Sequence, residues 1–263
     1  ADDGGLLARV RLLAQRTAEL HAALARTTGQ PAFDPEPVQA ADLQRWVQQL
    51  RERVAATLAG LQVQLQEHPQ ALPRGPQALA QRLLDQGTAG FEPGLARAAA
   101  LAPRGVKTRV HGAYRLQEVL LVDNDFVIID FEGDPERPLQ ERRAKRSPLC
   151  DVAGMLRSFD QARQAALVLG SPSETEATRR EPLARAWGEA VRDAFVQGYG
   201  DAAVAAGLYA DAEAFAAARP LLDLFEAELA CQQLHEDLAR LPETGLALPG
   251  ALALLAGGLP PGA

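Results

Sequence analysis

The side chains best suited to chemistry gather between Arg109 and Pro135: His111, Glu118, Asp130 and Glu132. They flank two β-rich runs, LQEVLLV (116–122) and FVIID (126–130). The triplet Asp123-Asn124-Asp125 between these runs reads as a hairpin turn. A hairpin brings two strand ends together, so oxygen ligands far apart in sequence can share one hard cation. The plainer alternative is that these carboxylates are simply solvated, the usual fate of such residues. Elsewhere the polar residues offer less. His21, His68 and His235 are scattered and share no metal-ligand spacing with Cys150 or Cys231, which argues against zinc. His111 reads as a loop-bracing histidine. The run Glu141-Arg142-Arg143-Ala144-Lys145-Arg146 invites comparison with a phosphate grip, but a solvated loop pairing with nearby acids explains it better. Asp151 reads as a helix cap or brace. Trp46 and Trp187 sit on apolar helix faces and are expected in the core.

The elements that must position the hairpin are helical. Residues 6–25 repeat apolar side chains at three and four, with Leu12, Leu13, Leu20 and Leu24 on the pattern. A proline-rich loop (29–38) precedes a second helix, opened by Asp42 and running to about residue 67. Leu43, Trp46, Leu50, Val54, Leu58 and Leu61 form its apolar face. A shorter helix is expected over 77–86, and 87–105 shows no clear period. Residues 107–111 read as a further β-rich run, and 133–147 as a charged loop. Three long helical patterns follow, over 148–170, 182–206 and 210–241, with Pro220 breaking or kinking the last. Helices around one small β insertion make a mainly α, α+β fold.

Composition excludes several classes of function. A net charge of −7 and the absence of a basic stripe with interleaved aromatics argue against a nucleic-acid partner. Two cysteines are too few for a disulfide framework, so a reducing, cytoplasmic setting is expected. The first residues, ADDGGLLARVRLL, lack the pattern of a signal peptide. The apolar stretch 246–259 is short and broken by Pro and Gly, so no membrane span is expected.

The loops RVHGAYRLQEVL (109–120) and VIIDFEGDPERPLQERRAKRSPLCDVAGMLRSFDQA (127–162) together resemble the maltokinase family. Its members transfer phosphate from ATP to the reducing-end hydroxyl of maltose and are often fused to trehalose synthase. The second run matches that family's hallmark almost throughout. RTAELHAALA (16–25) is similar to the helix that opens the family's C-terminal lobe, and LFEAELACQQLHEDLARLP (224–242) falls where its sugar-contacting helix lies. The resemblance implies a protein-kinase-like, aminoglycoside-phosphotransferase-like C-lobe. Its parts would be a helical first part (1–105), the hairpin with its two loops (106–135) and a C-terminal helical part (136–263). Upstream of Arg109 no glycine-rich strand–turn–strand appears, so no N-lobe able to cover ATP is expected within the chain.

Residue by residue, the implied roles survive unevenly. Asp130 takes the position of the family's magnesium-binding aspartate, and Glu132 that of a second carboxylate near the metal. His111 and Gly112 match the structural start of the first loop. Ala113 stands where the family has the base that deprotonates the sugar hydroxyl, and a methyl group cannot accept a proton. Glu118 replaces a metal-binding Gln and adds negative charge facing the ATP phosphates, while Arg115 and Gln117 replace an expected His and Gly. On the sugar side, Leu229, Gln232, Glu236 and Leu241-Pro242-Glu243-Thr244 stand where the family offers Lys, Tyr and an Arg-Pro-Asp-Trp turn. The implied cofactors, ATP and magnesium, are therefore not expected to bind productively. Three functions follow from these residues. One is an inactive interaction or stabilising domain associated with trehalose synthase. Another is the C-lobe of a working maltokinase, completed by an N-lobe. The third is a sensor that binds maltose or nucleotide without chemistry.

Overall fold

The computed structural model of the chain describes residues 3–135, 137–169, 173–244 and 249–259. Apolar spacing decides its helices. In α1 (Asp3–Leu24) the buried residues Val10, Leu13, Ala14, Thr17, Ala18 and His21 recur at three and four, forming one stripe. The chain then forms β1 (Glu36–Pro37), α2 (Ala40–Glu67), α3 (Arg74–Gln86), α4 (Glu92–Ala99) and β2 (Val106–Lys107). The hairpin β3 (Val119–Val122) and β4 (Asp125–Ile128) follows, and then α5 (Leu139–Arg142), α6 (Leu149–Leu169) and α7 (Glu174–Ala205). Last come α8 (Ala212–Ala218), α9 (Pro220–Thr244) and α10 (Pro249–Gly257). None of the described helices is long and apolar enough to cross a membrane.

Two compact units divide these elements. The first comprises Ala1–Val38 with Pro103–Arg219, and the second Gln39–Ala102 with Pro220–Ala263. In the first, α1 packs along α7, whose Gly198 lets the backbones approach. A Cβ there would stand 3.2 Å from Ala14 Cβ and 3.4 Å from Arg11 Cα. Helix α6 adds Leu149, Val152, Met155, Leu156 and Phe159 to this core. In the second unit, α2 packs on α9, with Trp46 and Phe225 edge to face at 5.4 Å. Gly94 in α4 accommodates the Leu259 side chain, which an added Cβ would meet at 2.2 Å.

Several expectations are corrected. Residues 92–99, expected to lack a period, form α4, since Leu95 and Ala98 find buried neighbours. The charged loop contains the single-turn α5. The run 107–111 pairs only briefly: β1 and β2 are two residues each, and Thr108 bridges to Arg146. Helix α7 starts eight residues before Pro182 and runs through it, with Ser173 Oγ accepting from Glu176 N–H as the cap. Trp187 is half-buried rather than core. Helix α9 continues to Thr244 where a turn was expected, and the side chains of 241–244 lie outside the described residues. Pro220 separates α8 from α9, as its missing N–H suggested.

Candidate functional site

Strands β3 and β4 pair antiparallel, Val119 with Ile128 through Val122 with Asp125. The turn is therefore the two residues Asp123 and Asn124, at φ 50° and 63°, a primed hairpin turn of the kind that matches strand twist. Asp125, expected in the turn, is instead the first strand residue. Arg16 donates to both its oxygens (2.8 and 2.9 Å), which holds the carboxyl below its usual range and ties the hairpin to α1.

Asp151, in the first turn of α6, holds the loop before β3. His111 N–H donates to its Oδ2 (2.8 Å) and Gly112 N–H to its Oδ1 (2.9 Å). His21 Nε2 lies 3.2 Å from Oδ2, and His21 Nδ1 lies 2.9 Å from the Tyr199 hydroxyl. Carboxylate, both histidines and phenol are all buried. Burial by itself would raise the Asp151 carboxyl. The His21 ring and the two backbone amides outweigh burial and hold it below the usual carboxylate range. Burial pushes the Tyr199 phenol well up, so it remains neutral.

Further contacts complete the brace. Thr17 donates its hydroxyl proton to Leu13 C=O (2.8 Å), so Tyr114 O–H donates to Thr17 Oγ1 (2.8 Å). The Tyr114 carbonyl lies over Gly154, where a Cβ would come within 2.6 Å of it. Leu116 N–H donates to Ser158 Oγ (3.0 Å). His111 Nε2–H donates to Ile129 C=O (2.8 Å), and the His111 ring packs on Tyr114 (5.3 Å) and Phe131 (5.0 Å). A carbonyl only accepts, so His111 carries its proton on Nε2, and its Nδ1 is buried without a partner. Gly112 and Gly133 lie close enough that a Cβ on Gly112 would meet Gly133 Cα at 3.5 Å.

The hairpin thus brings the two loops together. Ala113 is half-buried between Gly112 and Tyr114 and presents a methyl group. Asp130 is exposed, with φ 65°, a left-handed conformation that costs a non-glycine residue about 1–2 kcal/mol. Glu132 is exposed, and its carbonyl accepts from Arg142 Nη1 (3.1 Å). The Glu118 side chain is mostly buried and lies 4.0 Å from Arg115 Nη2. Among the described residues no three carboxylate, imidazole or thiol groups come together as a cation site. Asp130 is a hard oxygen donor in the open, which fits an ion such as magnesium that keeps most of its waters.

The charged run pairs with its own chain. Lys145 Nζ reaches Glu36 Oε1 and Pro31 C=O, both at 2.6 Å, and Arg109 donates to Ala32 C=O (3.1 Å) while lying over the Phe33 ring. At the positions where the resemblance implies sugar contacts, Gln232 donates to Glu236 (3.1 Å) on α9 of the second unit. The residues that sequence reasoning missed are His21, Thr17 and Tyr199. One signal was available: Thr17 and His21 are polar positions on an otherwise apolar helical stripe.

The chain is 30% identical over 183 residues to a glucosamine kinase of Streptacidiphilus jiangxiensis, covering 70% of this chain and 35% of that protein. Its structure matches a glucosamine kinase in complex with glucosamine, ADP and inorganic phosphate at TM-score 0.66 and 22% identity. That match covers 97% of this chain and 51% of the other. A second crystal form of glucosamine kinase matches at TM-score 0.67 and 22% identity, over 97% of this chain and 53% of that one. The fold is kinase-like. The relatives are sugar kinases, as are the maltokinases that the motif resembles, and the solved complex holds ADP together with its sugar. No protein-family profile matches the chain. The chain spans about a third of the curated relative's length and about half of the solved ones.

Proposed function

We propose that this chain is part of a sugar-kinase-like domain that keeps the architecture of the phosphotransfer site without its proton acceptor, and that it acts as an interaction or stabilising domain in sugar metabolism. One observation carries the reading. The loop around Ala113 is held by Asp151, His21, Thr17 and Ser158, yet the position those bonds present ends in a methyl group. Loss of a general base typically lowers rate by about 10²–10⁴. Magnesium, where bound, would neutralise phosphate charge at Asp130, with Glu118 and Glu132 the other carboxylates that the motif aligns with the family's metal site.

The relative's name supports glucosamine as the sugar of the ancestral site, and the hallmark motif supports maltose. The motif also supports attachment to, or association with, trehalose synthase. The experiment is ATP-dependent phosphorylation of glucosamine and of maltose, followed by ADP release with magnesium, on the longest natural polypeptide carrying this chain. Turnover at background is expected for the natural sequence. Activity well above background would overturn the proposal in favour of a second reading, a working kinase in which Glu118 or Glu132 replaces the base. Glu118 favours that reading because its mostly buried side chain lies on the hairpin beside Arg115. Under it, Ala113→Asp should raise an existing rate sharply.

A further inference from the structure

A cavity of 590 Å³ opens between the C-terminal half of α7 and α8, within the first unit, and none of its lining residues belongs to the candidate site. Val196 and Phe215 form a buried apolar floor. Phe215 can lie there because residue 200 is glycine, for a Cβ would come within 2.4 Å of the ring. Asp193 and Asp201 stand on the rim. They are eight residues apart on α7 and so share a face. Arg219, directly after α8, faces the same space. Among the described residues none of these three side chains has a hydrogen-bond or ion-pair partner, so two carboxylates and one guanidinium leave the rim one charge negative.

We propose that this cavity is a binding site for a small organic ammonium ion with an apolar body. Small-molecule sites are typically about 300–1,000 Å³, mostly apolar, with a few polar groups that orient the ligand. The apolar body lies against Val196 and Phe215, and the ammonium group pairs with a carboxylate of the rim, where Asp193 and Asp201 offer two positions about 12 Å apart along α7. An anion meets two carboxylates for one guanidinium and is disfavoured. A neutral molecule leaves the carboxylates without a charge to pair.

The test is isothermal titration of the intact protein with 2-phenylethylammonium, with 2-phenylethanol as the neutral isostere and 3-phenylpropionate as the anion. Saturable binding of the ammonium ion is expected, with the other two at least about tenfold weaker. Asp193→Asn combined with Asp201→Asn should weaken the ammonium ion about tenfold. Ala216→Trp should abolish binding by filling the space. All three substituted positions are exposed, and circular dichroism melts check that the variants remain folded. No saturation, equal binding of the alcohol, or unchanged affinity in both variants would overturn the proposal.

Discussion

Asp151 is the residue on which the loop depends. Its two oxygens take both loop amides and the His21 ring inside the buried core. Removing one partner of a buried, hydrogen-bonded charge network costs about 3–5 kcal/mol. Asp151→Ala should therefore lower unfolding stability by about that amount in urea titrations, and a loss under about 1 kcal/mol would contradict this role. The depressed carboxyl also sets a pH dependence. A carboxyl held below its unfolded value contributes stability that is complete above that value, about 3.9, and lost as pH falls through the folded one. Stability should thus fall with acidification below about pH 4, and Asp151→Asn should flatten that slope. Of these roles the residue types announced only part. Asp151 was legible as a brace from its place at a helix start. That it holds a loop 40 residues earlier in sequence was not.

Among the elements, α6 matters for more than its apolar face. Gly154 leaves room for the Tyr114 carbonyl, and the obstruction it avoids is backbone, which cannot rotate away. Gly154→Ala gains helix propensity of about 1 kcal/mol. It forces a 2.6 Å contact, and overpacking of this kind costs about 1–3 kcal/mol. A lowered melting temperature is expected, and an unchanged or raised one would refute the close approach. The hairpin was legible because two β-rich runs flank turn residues, but its register was not. The two positive φ values at Asp123 and Asn124 make a two-residue turn, and Asp125 is then released to meet Arg16. Helix α4 was illegible, since in an Ala/Gly/Pro-rich stretch only tertiary neighbours distinguish helix from loop.

For the whole molecule, the chain crosses between its two units at Val38–Gln39, Ala102–Pro103 and Arg219–Pro220. The loop, the hairpin and α6 all belong to the first unit, whereas α9, where the motif resemblance places sugar contacts, belongs to the second. Phosphotransfer at background with both glucosamine and maltose is the outcome expected at this scale, measured as ADP release. The chain spans about half the length of the solved relatives.

Local order determined what the sequence made plain. Helical periods, the hairpin and the kinase-like hallmark are patterns among near neighbours, and so was the methyl group at position 113. Tertiary structure alone decided how the loop is held. Asp151, His21, Tyr199 and Thr17 come from three helices far apart in the chain, and the periodic pattern that marks Thr17 and His21 as buried polar positions does not name their distant partners. The same holds for the cavity between α7 and α8. Its apolar floor exists because Gly200 lets a ring from another helix lie against it, a fact about packing rather than about either helix.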